Sequence, residues 1–216
     1  MSSPHGELER LLEAGLAEIG YEPTSDRLRR LTRYLDEIEL WNPRLKLVAA
    51  SGRELVVRHL LDCLAGASAI VGPSGPIVAG ARRIADLGSG AGLPGIPVAI
   101  VHPEISVDLV ERSGRRAGFL RNAIAATRCS NATVHETDAS AYRGPADVVT
   151  FRAFAPLTPQ LVRSMRSALR AGGVICAFKG RESAISAELS QLGEPEARVV
   201  PVVVPFLHEE RHILVL

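Results

Sequence analysis

The sequence predicts an α/β fold, in which a doubly wound, mostly parallel sheet of seven strands follows an N-terminal helical extension. Three features of the chain point to it. Apolar residues recur at helical spacing before residue 72, whereas short apolar runs typical of strands alternate with helical segments after residue 82. That alternation indicates parallel strands with helices on both faces of the sheet. A glycine-rich stretch directly follows the first predicted strand, at the sheet edge where such folds bind ligands.

Three helices are predicted before the first strand. The first spans residues 5–19, where four leucines share one helical face. The second begins near Thr24 and ends before Pro43, because a proline disfavours helical backbone in the residue that precedes it. Ser51 and Glu54 form a capping-box pattern, which opens the third helix. These helices carry no strand signal and predict a helical cap.

The remaining elements alternate along the chain. The seven predicted strands span residues 83–86, 105–111, 132–135, 147–150, 174–178, 199–204 and 213–216. Helices are predicted over residues 95–101, from Ser113 to about Thr127, from Thr158 onward, and over residues 182–192. The last two strands are close in sequence, so they are expected to pair antiparallel. Residues 1–72 thus form the cap and residues 73–216 one compact α/β unit, with an exposed connection over residues 73–80.

The composition excludes several classes of protein. Of the 216 residues, 46% are apolar and 23% are charged, as in ordinary globular chains. The 25 basic and 24 acidic residues nearly cancel, so the total charge does not mark an indiscriminate nucleic-acid binder. The three cysteines lack metal-ligand spacing, no signal peptide is evident, and no apolar run is as long as a membrane span. We expect a cytoplasmic protein that binds no metal and no membrane.

The glycine-rich stretch after the first strand has the character of a nucleotide-binding loop. Its glycines allow a sharp turn from strand to helix, and we expect backbone N–H groups to open toward a ligand there. The loop glycines are Gly88, Gly90, Gly92 and Gly95. They satisfy the dinucleotide pattern, with Glu111 following Gly90 by about twenty residues, which leaves a nicotinamide-dependent oxidoreductase as one alternative.

Asp86 shifts the weight away from a dinucleotide. It stands two residues before Gly88, where its carboxylate repels a pyrophosphate and attracts the ammonium of an aminocarboxypropyl group. This arrangement resembles the first motif of class I S-adenosylmethionine-dependent methyltransferases. In that motif, Glu111 is placed to accept both ribose hydroxyls. The loop therefore favours S-adenosyl-L-methionine as the cofactor.

Further motifs make the resemblance more specific. The chain from about Leu28 to its C-terminus resembles the glucose-inhibited division protein B family, whose members are 16S ribosomal RNA guanine-N7 methyltransferases. The matching stretches are Asp86–Pro97, Arg58–Asp62, Phe119–Arg121, Arg152–Ala155, Phe178–Gly180 and Glu210–His212. The resemblance implies a Rossmann-like class I methyltransferase fold and a guanine substrate in the decoding-site loop. It implies the small ribosomal subunit as partner, and we expect a monomer.

The resemblance also implies a set of cofactor contacts. They are Gly88 and Leu93 in the loop, Ala139 and Ser140 after the third strand, and Arg152 after the fourth. The chain departs from its relatives at Lys46–Val48, at Asp138–Ser140 and at Phe151, where they carry Asn-Leu-Thr, Arg-Ala-Glu and Ser. A methyltransferase of this fold that acts on a small molecule therefore remains an alternative. So does a non-enzymatic RNA-binding assembly factor.

Several side chains are candidates for roles in the site. Asp138 can accept the adenine amine, the alternative being an aspartate that only stabilises its own turn, and the N–H of Ala139 can meet a ring nitrogen. Arg152 is a candidate catalytic residue that binds the cofactor carboxylate or an RNA phosphate bidentately, the alternative being a structural ion pair. His59, the second catalytic candidate, lies three residues from Asp62 on one helix face, either at the pocket mouth or in a packing contact.

The predicted RNA contacts are basic and aromatic. Guanine N7 carries a free lone pair, so the reaction requires positioning rather than a general base. Phosphate contacts are expected from Arg115, Arg116, Arg121, Lys179 and Arg211. Phe151 and Phe154 flank Arg152 and either stack on an extruded base or pack in the core.

Overall fold

A seven-stranded sheet forms the centre of the computed structural model, which describes residues 4–73, 77–152 and 157–216. Its strands are β1 (Arg83–Leu87), β2 (Ser106–Val110), β3 (Ala132–His135), β4 (Ala146–Arg152), β5 (Leu169–Lys179), β6 (Arg198–Pro201) and β7 (His212–Val215). The strand order is β3-β2-β1-β4-β5-β7-β6. The five strands from β3 to β5 pair in parallel, whereas β7 is antiparallel to both β5 and β6. The predicted fold class and the antiparallel final pair are confirmed.

This topology gathers the ends of several strands at one edge of the sheet. The carboxyl ends of β1, β2, β3, β4 and β5 all lie there, because these strands are parallel. His212, the first residue of β7, pairs with Lys179, the last residue of β5. Pro201, the last residue of β6, pairs in turn with His212. The segment that joins β6 to β7 therefore reaches the same edge as Arg152.

Helices precede the sheet and alternate with its strands. They are α1 (Pro4–Ile19), α2 (Ser25–Leu45), α3 (Gly52–Leu55), α4 (Asp62–Val71), α5 (Gly95–Val101), α6 (Gly114–Thr127), α7 (Pro159–Arg166) and α8 (Glu182–Leu192). A π-helical turn, Val56–Leu61, connects α3 to α4 without a break. None of the helices in the described ranges is long and apolar enough to span a membrane. The predicted cap at Thr158 is confirmed, since its hydroxyl accepts from the Leu161 N–H at 3.2 Å.

The predicted end of α2 was wrong. The helix continues through Pro43 to Leu45 and ends at Lys46, whose left-handed backbone lets its N–H donate to the Asn42 carbonyl at 2.9 Å. The Asn42 side chain also donates to the Val48 carbonyl and accepts from its N–H, at 2.9 and 3.0 Å. These contacts with the following segment stabilise a helical conformation that the proline alone disfavours.

The third predicted helix also differs in its details. The Ser51 side chain makes no capping bond; instead Glu39 on α2 accepts from the Gly52 N–H at 3.0 Å. The helix widens over the π-helical turn, which carries Arg58 and His59. Such turns often occur at functional sites. The capping-box prediction is therefore wrong, although the helix it was used to locate is present.

The bounds of two predicted strands differ from the observed bounds by three residues or more at one end. β5 begins five residues before Val174, and its register with β4 shifts near Ala146, where Gly172 adopts a positive φ of 77°. β6 ends at Pro201 rather than at Val204. The residues between β6 and β7 form a loop instead.

The helical extension packs directly on the sheet. One hydrophobic cluster joins the inner leucines of α1 and α2 to the apolar side chains of β1, β2 and α5. Tyr34 on α2 is fully buried, and its hydroxyl donates to the Ala91 carbonyl in the glycine loop at 2.7 Å. The helical extension thus holds the glycine loop in place through Tyr34.

Candidate functional site

The glycine loop turns sharply at the carboxyl end of β1. Gly88, Gly90 and Gly92 have φ values of 72°, 55° and 84°, a left-handed conformation that favours glycine. The N–H groups of Gly88 and Ser89 donate to the Val110 carbonyl at 2.8 and 3.0 Å, and that of Gly92 to the Ser89 carbonyl at 2.6 Å. The prediction that these N–H groups open toward a ligand is wrong, because the loop folds back onto β2 and satisfies them internally.

Asp86 is buried beneath this loop, with 1% of its surface exposed. Its Oδ2 accepts from the Gly95 N–H at 3.1 Å, whereas its Oδ1 is buried without a hydrogen-bond partner. Burial raises the pKa of this carboxyl to about 7, against the lowering effect of hydrogen bonds from Gly95 and Ser89. A buried acceptor without a partner costs free energy, so the site is suited to a cationic donor.

Position 95, next to Asp86, has no room for any side chain. A Cβ at this position would lie 2.2 Å from Leu109 Cδ2 and 2.9 Å from Asp86 Oδ2. Only a glycine at position 95 therefore lets the start of α5 approach β1 and β2 this closely. Leu93, a predicted cofactor contact, has its side chain buried in the main hydrophobic cluster. It is left to contact a ligand through its backbone.

Glu111 connects the loop to the next helix. Its Oε2 accepts from the Gly90 N–H at 3.0 Å and its Oε1 from the Ser113 N–H at 2.8 Å. Ser113 makes no side-chain cap at the start of α6, so Glu111 takes that role. Each carboxylate oxygen has a further lone pair, so these bonds leave acceptor capacity for the ribose hydroxyls that the sequence predicts.

The segment after β3 forms an exposed turn. Asp138 Oδ1 accepts from the N–H and the hydroxyl of Ser140, at 2.9 and 2.7 Å, and Arg112 lies 3.8 Å from Oδ2. The two Ser140 hydrogen bonds are the main reason that the pKa of Asp138 is lowered. Ala139 is half-buried between them. These residues lie three or more positions beyond the end of β3, and they therefore follow the carboxyl end of a strand that is parallel to β1 and β2.

Arg152 ends β4 and is held by the helical extension. Its Nη2 donates to the Arg58 carbonyl at 2.9 Å and lies 3.5 Å from Asp62 Oδ2, while its Nη1 lies 3.7 Å from Cys63 Sγ. Arg211 Nε lies 3.4 Å from the other oxygen of Asp62. The structural ion pair that the sequence left open is therefore present, with Asp62 as its acid.

His59 lies in the same cluster. Burial and the positive charges of Arg152, Arg58 and Arg211 lower its pKa to about 4, so the imidazole is neutral at physiological pH. Its Nδ1 is buried without a hydrogen-bond partner. Burial also raises the pKa of Asp62, and the two arginines oppose that effect. The structure therefore brings the two catalytic candidates, His59 and Arg152, into one cluster, in which Asp62 lies between Arg152 and Arg211.

The predicted RNA-contacting cations divide into two groups. Arg115 is exposed and Arg116 half-buried on α6, and neither has a hydrogen-bond or ion-pair partner in the described ranges. Arg121 is exposed on the same helix but pairs with Glu136 at 2.9 Å. Arg115 and Arg116 are therefore the better placed of the three to receive a phosphate.

The other two predicted cations are engaged within the protein. Lys179 Nζ lies 2.6 Å from Glu188 Oε2 and 5.9 Å from the ring centroid of Phe151. Arg211 pairs with Asp62 and, at 3.2 Å, with Glu209. A phosphate can reach either cation only by competing with an acid. Phosphate binding by Lys179 and Arg211 remains a prediction, with this additional cost.

The aromatic candidates are only partly described. Phe151 is buried in a hydrophobic cluster with Val149 and Ile175, so its prediction as a stacking residue is wrong and its core alternative is correct. Phe154 lies outside the described residues. Sequence reasoning also missed Cys63 and Glu209, which have no motif of their own. In the described part of the chain, no group of three His, Cys, Asp or Glu side chains is arranged to hold a metal ion.

Comparison with known proteins identifies the family. Residues 27–214 match the family model described as rRNA small subunit methyltransferase G. This chain belongs to that family. It is 38% identical over 217 residues to the ribosomal RNA small subunit methyltransferase G of Treponema pallidum strain Nichols, an alignment that covers 95% of this chain and 92% of the relative. The enzyme of the same name from Stenotrophomonas maltophilia strain K279a is 39% identical over 208 residues, which cover 94% and 92%.

Solved structures agree on the fold. The fibrillarin of Aeropyrum pernix, determined with S-adenosyl-L-methionine bound, superposes with a TM-score of 0.53. The two chains are 20% identical, and the match covers 73% of this chain and 76% of the other. This member of the rRNA small subunit methyltransferase G family therefore has the Rossmann-like class I methyltransferase fold.

Proposed function

We propose that this chain transfers a methyl group from S-adenosyl-L-methionine to N7 of a guanine in the decoding-site loop of 16S ribosomal RNA. It acts as a cytoplasmic monomer on the small ribosomal subunit. Membership of the rRNA small subunit methyltransferase G family supports the reaction and the substrate. The observation that carries the proposal is the unpartnered Asp86 Oδ1 beside a glycine loop and Glu111, at the same sheet edge as Arg152.

The residues present fit the cofactor. Asp86 offers a buried acceptor for the ammonium of the aminocarboxypropyl group, and Glu111 offers free lone pairs to the ribose. Asp138 and Ala139 follow the carboxyl end of β3, and we expect them to contact the adenine. When bound, S-adenosyl-L-methionine supplies an electrophilic methyl group. The glycines of the loop contribute the left-handed backbone with which it turns sharply at the carboxyl end of β1.

The side chains of the site are suited to position the reactants rather than to act as a base or a nucleophile. Guanine N7 carries a lone pair, so no proton has to be removed before it attacks a methyl group. The lowered pKa of His59, about 4, makes its imidazole a weak base, and Asp62 is held by two arginines, so neither is poised as a general base near pH 7. Burial raises the pKa of the Cys63 thiol to about 12, which excludes a thiolate nucleophile there. None of these side chains would therefore carry a proton or the methyl group during the transfer, and their part would be to position the base.

Arg152 contributes a fixed positive charge at the reaction edge. The Arg58 carbonyl and Asp62 hold its guanidinium in place, so the charge needs little reorganisation when an anionic group approaches. Holding guanine N7 in line with the methyl group would contribute roughly 7–11 kcal/mol, as in other oriented reactions. Arg115 and Arg116 extend the basic surface along α6, where they are expected to contact RNA phosphates.

One experiment separates this function from its alternatives. Purified protein is incubated with radiolabelled S-adenosyl-L-methionine and small subunits from a strain that lacks the endogenous enzyme, and the digested RNA is analysed by mass spectrometry. A single new N7-methylguanosine in the decoding-site loop is expected. Label on a small molecule instead, or binding of subunits without methyl transfer, would refute the proposal. The Gly88→Asp variant, which we expect to lose cofactor binding by calorimetry, is the negative control.

A further inference from the structure

The loop between β6 and β7 reaches the reaction edge. Val202 N–H donates to the Arg211 carbonyl at 2.8 Å and closes the base of a loop over residues 203–210. Because Pro201 and His212 pair beside Lys179, this loop projects beyond the strand ends, on the side where Arg152 lies. It contributes nothing to the proposed cofactor cleft.

Phe206 sits at the tip of a tight turn in this loop. The Leu207 N–H donates to the Val204 carbonyl at 3.2 Å, and Pro205 occupies the second position of the turn. Phe206, in the third position, has a φ of 63°. That position of such turns normally carries glycine or asparagine, and a bulky side chain there is a true outlier. Strain of this kind persists where the surrounding structure enforces it and often marks a functional site.

The turn holds the Phe206 ring outward. Its neighbours Val204 and Pro205 are buried, and Leu207 packs against the main core, whereas 40% of the Phe206 surface is exposed. Among the residues that the structure describes, Phe206 is the only exposed phenylalanine, tyrosine or tryptophan. A buried frame thus fixes an exposed aromatic ring, which costs hydrophobic burial that an inward-facing ring would gain.

Ion pairs fix the same loop to the Arg152 cluster. Glu209 accepts from both terminal guanidinium nitrogens of Arg58, from Nη1 at 3.1 Å, and it also pairs with Arg211. Arg211 in turn contacts Asp62, the ion-pair partner of Arg152. Phe206 therefore lies in a loop that Glu209 and Arg211 connect to the Arg152 cluster.

We propose that Phe206 is a stacking platform for an unpaired base of the RNA substrate, placed so that the base held there lies beside the target guanine. Recognition of RNA loops commonly uses aromatic side chains that stack on splayed bases. Arg58 and Arg211 pair with Glu209 of this loop, so a phosphate beside the stacked base reaches them by competing with that acid, and Arg181 is exposed at the start of α8. The inference rests on the proposed function and specifies how its substrate is held.

The test uses the whole protein and small subunits that lack the modification. Phe206→Ala is expected to raise KM for the subunit by about fivefold or more with little change in kcat, and Phe206→Trp to keep KM within about twofold, since stacking needs an aromatic face. Affinity for S-adenosyl-L-methionine is expected to be unchanged in both. Leu40→Ala, which truncates an exposed apolar side chain on α2, is the matched control and keeps KM.

Two further measurements separate stacking from a structural role. Phe206→Gly relieves the positive φ, so it should be more stable than Phe206→Ala, yet it should show the same rise in KM. In a Trp41→Phe background, the fluorescence of the Phe206→Trp variant should be quenched when subunits bind.

The outcomes distinguish this inference from the function on which it rests. If the wild-type chain methylates subunits but Phe206→Ala leaves KM unchanged, or if no quenching occurs, the stacking platform is wrong while the methyltransferase stands. If KM follows the free energy of unfolding across the Ala and Gly variants, the role is structural and the inference is wrong. Failure of the wild-type chain to methylate any subunit would overturn both.

Discussion

Replacing Asp86 with asparagine tests the proposed binding site for the ammonium group of the cofactor. Burial raises the pKa of this carboxyl from its ordinary value of 3.8 to about 7. A carboxyl that holds its proton more tightly in the folded chain lowers stability as the pH rises between those two values. Asparagine keeps an acceptor for the Gly95 N–H but cannot ionise, so Asp86→Asn removes this loss of stability at high pH.

The size of the effect follows from the pKa. The raised pKa of Asp86 lowers the free energy of unfolding by about 2 kcal/mol at pH 5 and about 4 kcal/mol at pH 8. The gain from Asp86→Asn should therefore be larger by about 2 kcal/mol at pH 8 than at pH 5. The cost of placing an amide N–H₂ where Oδ1 has no partner is the same at both pH values and cancels in this difference.

Urea unfolding followed by Trp41 fluorescence measures the difference at both pH values. Asp138→Asn is the matched control, because that carboxylate is exposed and its pKa is lowered rather than raised, so it should show no such gain. Calorimetry should also show that Asp86→Asn weakens S-adenosyl-L-methionine binding about tenfold or more at pH 8. Wild-type affinity should weaken below pH 7, whereas that of the variant should not. An equal effect of Asp86→Asn on stability at both pH values would refute the assignment of a costly buried charge.

Three further substitutions test the surroundings of the site. Gly95→Ala should destabilise the chain by about 1–3 kcal/mol, because its Cβ would overlap Leu109, and thermal unfolding checks this; an unchanged Tm would contradict it. Arg152→Ala should leave the fold intact but lower kcat for subunit methylation at least about tenfold, and full turnover would remove Arg152 from the mechanism. Cys63→Ser should keep kcat within about threefold, since a thiol with a pKa of about 12 is not a nucleophile; abolished turnover with an intact fold would indicate a covalent step.

Local sequence signals predicted the fold well because they act over a few residues. The glycines after β1 and Thr158 before α7 mark real turns and helix starts. Pro43 misled the prediction because a contact with later residues, the Asn42 side chain on Val48, outweighs a local preference. Local signals fail where tertiary contacts of comparable free energy oppose them.

The electrostatics of the site were less accessible from sequence. An acid before a glycine loop indicated a cationic ligand, but nothing local showed that Asp86 would be fully buried or that the loop N–H groups would bond to Val110. The sequence likewise could not choose between a free and a paired Arg152. The choice depends on Asp62, which is 90 residues away in sequence. A pair at that separation produces no local sequence pattern from which it could be predicted.

The pairing of Arg152 with Asp62 also indicates why the helical extension accompanies this fold. A guanidinium at the end of β4 is useful only if its direction is fixed, and the sheet supplies no acid to fix it. The extension supplies both the Asp62 carboxylate and the Arg58 carbonyl from one helix, and Tyr34 holds the glycine loop from another. A guanidinium held on two sides has one preferred orientation, so less conformational entropy is lost when substrate binds. The extension therefore holds both Arg152 and the glycine loop, and we expect its packing on the sheet to set the geometry for methyl transfer.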